Sequence, residues 1–292
     1  MRLKSDLILF ITALVWGSGF IAQRLAAAEI GAFLFNGGRF FLGALILLPF
    51  IIRIPLKRTE VIWMITAGIV LVVASGLQQV GIKHTTATNA GFITGLYILF
   101  VPLILFIFFR QHIHWLVWTA TGIAAFGGLL LSALGNVHFM IGDLYELAGA
   151  VLWALHVILI NKTVGKANPL QFAFGQFLVC GIINLALGFW LDQATLVNLG
   201  NAWGPIIYSG IFSVAIGFTL QVFGQRHAPA TDAALILSLE AVAAAVFGYL
   251  LLNEILTPVQ FIGCFLIMAA VILVQFIPGE VEIAAVVEER IL

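Results

Sequence analysis

Apolar runs of about 20 residues fill this sequence, and runs of that length leave few structures open to a chain. The hydrocarbon core of a bilayer is about 30 Å thick and holds no water for backbone N–H and C=O groups. A segment crossing it must bond those groups internally, as a helix of roughly 20 residues does. Ten segments qualify: 6–25, 31–52, 61–82, 88–109, 115–134, 142–162, 169–190, 203–225, 231–251 and 258–277. Punctuating residues separate them, as in Arg53 to Glu60, Lys162 to Pro169 and Asn253 to Pro258. Hydrophobic residues make up 62% of the chain and charged residues 9%, against soluble averages of about 45–50% and 25%. The expectation is an all-α integral membrane protein with ten transmembrane helices. Net charge is zero, so no basic field exists to draw nucleic acid. Cys180 and Cys264 both sit inside apolar runs and read as small buried hydrophobes.

Charge placement orients the spans, because cytoplasmic loops of multi-span proteins carry the excess of Lys and Arg. With the N-terminus in the cytoplasm, Arg2, Lys4, Arg53, Lys57, Arg58, Arg110, Lys162, Lys166, Arg226 and Arg290 fall inside. Arg24 and Lys83 fall outside, and Arg39 lies within a span. Ten against two predicts a multi-pass protein of the cell (inner) membrane with both termini cytoplasmic, and makes the acidic end a solvated extension.

One phrase occurs twice. QQVGIKHTTATNAG (Gln78 to Gly91) returns 143 residues later as QVFGQRHAPATDAA (Gln221 to Ala234), with six of fourteen positions identical. Asp6 stands ten residues before Trp16 and Asp143 ten before Trp153, while RFFLGA (Arg39 to Ala44) aligns with QFLVCG (Gln176 to Gly181) at an offset of 137. The unit is therefore five spans, residues 1–137 and 138–278, followed by the tail 279–292. An odd number of spans inserts the second copy upside down, giving two inverted five-helix repeats. That is the architecture of alternating-access transporters. The repeat also argues against a cleaved signal peptide at the N-terminus, since removing the first span would leave four helices to match five. Within each phrase, Lys83 with His84, or Arg226 with His227, suits the negative pole of a helix end. Thr88 with Asn89, or Thr231 with Asp232, offers the next helix an N-cap. Gln78 and Gln221 lie more than a turn inside their spans, where an amide needs a partner or water. The twin junctions read as paired elements at the outer and inner ends of a pathway.

Several motifs stand in a fixed order: WGSGF (Trp16 to Phe20), GRFFLGA (Gly38 to Ala44), TNAGF (Thr88 to Phe92), SLEAV (Ser238 to Val242) and NEILTPVQFIGCFLI (Asn253 to Ile267). Together, over residues 6 to about 277, they resemble the EamA-type branch of the drug/metabolite transporter superfamily. The resemblance implies a ten-helix bundle around a central cavity, lined mainly by the first, third, fourth, sixth, eighth and ninth helices, moving small organic metabolites, often outward. The sequence departs from the family where Pro commonly follows the Glu of the ninth helix: Ala241 stands there. A kink at that point is therefore in doubt, and Pro102 in the fourth helix is the alternative place for a bend.

Candidate substrate-binding residues follow from depth and repetition. Ten residues from an aspartate at the membrane edge is about 15 Å of helix, the midplane, which singles out Trp16 and Trp153 as a matched pair of walls. Glu240 is also near midplane, where an ionised carboxylate is costly unless paired or wet. It is open to three roles: a proton site, a counter-ion for a cationic group, or a structural hydrogen bond. Tyr97 occupies the equivalent place in the first half. His156, three residues past Trp153, projects from the same helix face, as packing or as lining. Gln78 and Gln221 complete the set. Arg39 reads as a helix-positioning residue, with an ion pair to Glu240 left open by depth alone. Asp143, Glu146 and Glu254 read as hydrated boundary residues.

A single buried cation is too little for phosphate-bearing substrates. Aromatic and amide groups suit apolar or zwitterionic molecules such as amino acids; Trp faces with Glu240 also suit a lipophilic cation. No HExxH and no cysteines at metal-ligand spacing occur, so neither an enzyme nor a cofactor is expected. A passive channel and proton coupling both stay open.

Overall fold

The structure, a computed structural model, describes residues 2–85, 87–132, 140–163, 166–192, 196–252 and 255–276. Glu254 and the predicted tail 279–292 lie outside the described residues, as does the side chain of Thr88. The helices are α1 (Arg2–Glu29), α2 (Ala32–Ile51), α3 (Arg58–Ile82), α4 (Ala87–Gly95), α5 (Tyr97–Phe109), α6 (Trp115–Ser132) and α7 (Ile141–Thr163). There follow α8 (Pro169–Leu191), α9 (Leu196–Tyr208), a π-helical stretch (Ser209–Phe218), α10 (Thr219–Gly224), α11 (Ala230–Leu237), α12 (Leu239–Leu252) and α13 (Pro258–Val274). Joined across short interruptions, the described residues form nine helices long and apolar enough to cross a bilayer, and a further apolar helix, Pro258–Val274, of 17 residues. The chain is an all-α, multi-span membrane protein. Both cysteines are buried and free.

Local chemistry sets the helix ends. The Asn168 side chain accepts from Leu170 N at 3.0 Å and Gln171 N at 3.3 Å, with Pro169 at the first helical position of α8. Thr257 and Gln260 form a reciprocal capping box ahead of α13. Asp192, just past α8, accepts from Leu34 N at 2.7 Å and so satisfies the first turn of α2 from another helix. The proposed cap at the second copy of the repeated phrase is displaced. Extended Pro229 precedes α11 without any side-chain cap, and Thr231 and Asp232 fall in the first turn, where Asp232 pairs with Arg2 at 3.0 Å.

Two spans are interrupted at matching depths. The fourth breaks at Leu96, between α4 and α5, six residues before Pro102. The ninth breaks at Ser238, between α11 and α12, although Ala241 replaces the expected proline. There Ala241 N bonds three residues back to Ser238 O at 3.1 Å, and the Ser238 hydroxyl donates to Leu235 O at 2.7 Å. A tightened turn with a serine back-bond does what a proline was expected to do. The eighth span carries a different irregularity, the ten-residue π-helical stretch that follows Pro205.

The main helix contacts are α2 with α8, α6 with α13, α3 with α7 and with α8, and α1 with α12. Lipid tails are as apolar as side chains, so close backbone approach and van der Waals packing hold such pairs. Gly127 and Gly263 meet reciprocally between α6 and α13: a Cβ on either would collide with the other's carbonyl oxygen. Gly263→Leu is expected to destabilise the protein by about 1–3 kcal/mol, read as a lower Tm in detergent. An unchanged Tm would contradict this contact.

The two copies of the repeated phrase lie at opposite ends of α1. Arg24 Nη1 donates to Ile82 O at 2.7 Å and Lys83 O at 3.1 Å, at the end of the first copy's helix. Arg2 holds Asp232 in the second copy. The two arginines stand 22 positions apart on α1, about 33 Å of helix, with Trp16, Phe20 and Gln23 between them.

Candidate functional site

Between these ends lies a narrow chamber with a cavity of about 30 Å³. Six of the seven residues singled out by sequence line it: Trp16, Gln78, Tyr97, Trp153, Gln221 and Glu240. His156 stands behind the wall. It is fully buried, with Nε2 paired to Gln176 Oε1 at 2.8 Å and its ring edge-on to Trp153. The bond to Gln176 on α8 turns the imidazole away from the chamber.

The two tryptophans are joined by Phe218, at the end of the π-helical stretch. Its ring centroid is 4.6 Å from Trp16 and 5.8 Å from Trp153, the latter pair stacked at 24°. His156, Phe177 and Phe40 surround the same ring at 5.9, 6.0 and 5.7 Å. Trp16 Nε1 donates to Ser213 O at 3.1 Å, and its indole reaches so close to Gly217 that a Cβ there would lie 2.6 Å from Nε1. Phe218 escaped the sequence reading because nothing marks it among 25 phenylalanines. The available signal was its position three residues before Gln221, which puts both on one helix face.

The polar part of the chamber comes from both halves of the chain. The Tyr97 phenol and Glu240 carboxyl approach one another, yet neither the Tyr97 hydroxyl nor Glu240 Oε1 has a hydrogen-bond partner of good geometry. Gln23 Oε1, Gln221 Oε1 and Trp153 Nε1 are likewise buried without a protein partner. The chamber wall thus presents both donors and acceptors. Gln78 Nε2 donates to Thr94 Oγ1 at 3.1 Å, and Thr94 Oγ1 donates to Glu146 Oε2 at 2.8 Å. Glu146 is therefore not a hydrated boundary residue: it is 0% exposed, five residues into α7 and behind Thr94. Asp143 is also buried, accepting from Thr85 Oγ1 at 2.9 Å and Met140 N at 2.9 Å.

Arg39 departs furthest from expectation, since its helix, the second, is not among those the resemblance implies as lining and yet its side chain lines the chamber. Nε donates to Asn36 Oδ1 at 2.9 Å, and the Asn36 amide donates to Ser75 O at 2.9 Å. The guanidinium carbon lies 5.1 and 4.9 Å from the ring centroids of Phe35 and Phe40. Among the described residues no ion pair joins Arg39 to Glu240 or to any other carboxylate.

The family model of the EamA-like transporter family matches the chain twice, over residues 3–133 and 140–276. The chain is 34% identical over 278 residues to an uncharacterized transporter of Archaeoglobus fulgidus, covering 94% of this chain and 86% of that one. It is 25% identical over 289 residues to the uncharacterized transporter YvbV of Bacillus subtilis, covering 94% and 92%. It is also 26% identical over 248 residues to an S-adenosylmethionine uptake transporter of Rickettsia bellii, covering 81% and 79%. A solved crystal structure of a protein 15% identical in sequence superposes with a TM-score of 0.78, covering 94% of this chain and 97% of that one, a likeness of fold.

Proposed function

The chain belongs to the EamA-like transporter family, and from that premise we propose that it is an alternating-access carrier exporting small zwitterionic metabolites such as amino acids. Membership makes it a transporter rather than an enzyme, a multi-span membrane protein moving small molecules. The finer reading holds that two inverted five-helix repeats rock about the chamber. The observation that carries it is the position of the repeated phrase at opposite ends of α1, with chamber residues between. Two further observations support it. The helix contacts pair off as a two-fold axis requires: α3 with α7 answers α1 with the π-helical stretch, and α1 with α12 answers α7 with α4 and α5. Arg24 and Asn161, which occupy equivalent places 137 residues apart, both bond across to carbonyls of the repeated phrase, Arg24 to Ile82 O and Asn161 to Ala228 O at 3.0 Å. Each is a latch on one end of the pathway.

In this reading Glu240 is neutralised in turn by a cationic group of the solute and by a proton, because a bare carboxylate inside the bilayer is costly. Proton exchange for solute then follows. S-adenosylmethionine, named for one relative, joins an α-amino acid group to a sulfonium cation, chemistry that such a chamber also suits. A second reading, efflux of lipophilic cations, draws on the Trp faces and the same carboxyl.

The test uses Lys83→Cys and Arg226→Cys in whole cells with an impermeant maleimide. Lys83→Cys is expected to label from outside and Arg226→Cys only after permeabilisation; labelling of both from one side would sink the inverted arrangement. In proteoliposomes, efflux of labelled solute is expected to saturate and to speed up with unlabelled solute outside. Flux without either property marks a passive channel.

A further inference from the structure

Of the two charged side chains lining the chamber, Arg39 and Glu240, the carrier reading leaves Arg39 without a task. Arg39 is 2% exposed, buried in a span where an unpaired cation is costly. The surrounding protein compensates that charge only in part. Nε is held by Asn36, and the faces of Phe35 and Phe40 supply attraction to the flat cation. Neither Nη has a hydrogen-bond acceptor or a carboxylate among the described residues. The anchoring is directional: Ser75 O fixes Asn36 and Asn36 fixes Nε, which leaves the two Nη groups as a fork on a side chain that lines the chamber. A fork so held matches the two oxygens of a carboxylate, with parallel charge-assisted bonds that a lysine point charge does not reproduce. Arg39 does not spend its charge on Glu240, although both line the same chamber. The chamber therefore keeps a cation and a carboxyl apart, on helices from the two halves of the chain, with the Trp16, Phe218 and Trp153 rings lining it as well.

We propose that Arg39 is the carboxylate-binding residue of the chamber, so that the preferred solute carries a carboxylate for Arg39, an ammonium for Glu240 and an apolar side chain for the aromatic rings. This rests on the carrier reading above and adds the specificity determinant to it. In phosphate-bearing solutes the larger charge would exceed what one guanidinium neutralises. The assignment also gives the buried guanidinium a partner during part of each cycle.

Three probes separate its parts: L-leucine, isopentylamine (leucine without its carboxylate) and 4-methylpentanoate (leucine without its amine). Binding is measured by calorimetry on the purified full-length protein in detergent. Native protein is expected to bind leucine at least tenfold more tightly than isopentylamine. Arg39→Gln should weaken leucine and 4-methylpentanoate by at least tenfold and leave isopentylamine within twofold, which also reports that the variant is folded. Arg39→Lys, keeping charge without the fork, should fall between. If Arg39→Gln does not fold, the native comparison and Arg39→Lys decide. Leucine binding no tighter than isopentylamine in native protein, or equal in Arg39→Gln and native protein, would overturn the assignment. The carrier reading fails separately, through absence of exchange flux for all three probes.

Discussion

Glu240→Gln is expected to cut transport of amine-bearing solutes by at least tenfold and to remove the dependence of the rate on pH. Glu240 is 3% exposed on α12 in the chamber wall, beside Tyr97, and Oε1 has no protein partner. A hydrogen bond to a charged group contributes about 1.5–3 kcal/mol, and each 1.4 kcal/mol is tenfold in an equilibrium. An amide of the same shape keeps the packing and some hydrogen bonding but loses both the charge and the ability to trade a proton for the solute. The variant should therefore keep its native Tm and its size while losing flux. Flux from proteoliposomes, measured across a range of pH on both forms, checks this. Unchanged rate and unchanged pH profile would remove Glu240 from the mechanism.

Phe218→Ala is expected to be the most damaging single change in the chamber, lowering stability by about 3 kcal/mol, the low end of the range for a buried Phe truncation. The low end applies because in lipid the loss is mainly of packing contacts rather than of water exclusion. One ring here contacts Trp16, Trp153, His156, Phe177 and Phe40 at centroid distances between 4.6 and 6.0 Å. Its removal takes a ring contact from both tryptophans at once and widens the chamber, so bulkier solutes should be accepted as Tm falls. Phe218→Leu should recover most of the stability. A Phe218→Ala protein with native Tm would show that the tryptophan walls are held by the backbone instead.

Much of this was legible in the residue order because membrane insertion constrains a helix in one dimension, depth. Counting from helix ends brought Trp16, Trp153, Tyr97 and Glu240 to one level, and the repeated phrase brought in Gln78 and Gln221; all six line one chamber. Counting gives no azimuth, however. Arg39 sits on a helix outside the set expected to line the cavity, and only the packing of α2 against α8 and the π-helical stretch turns it inward. Glu146 looked like a boundary residue because it is three positions from Asp143, yet Gly81 on α3 lies close against its carboxyl and Thr94 binds it. His156 shares a face with Trp153, but its bond to Gln176 on α8 turns its ring behind the wall.

The apolar run lengths by themselves determined that this chain crosses a membrane as helices, since unbonded backbone has no partner in hydrocarbon. Helix rotation and interruption were decided only in the assembled bundle. The break at Ser238 without a proline, the π-helical stretch ahead of Phe218 and the inward turn of Arg39 all depend on contacts between residues far apart in the chain. Those contacts come from van der Waals fit and hydrogen bonds between helices, and hydropathy carries no record of either.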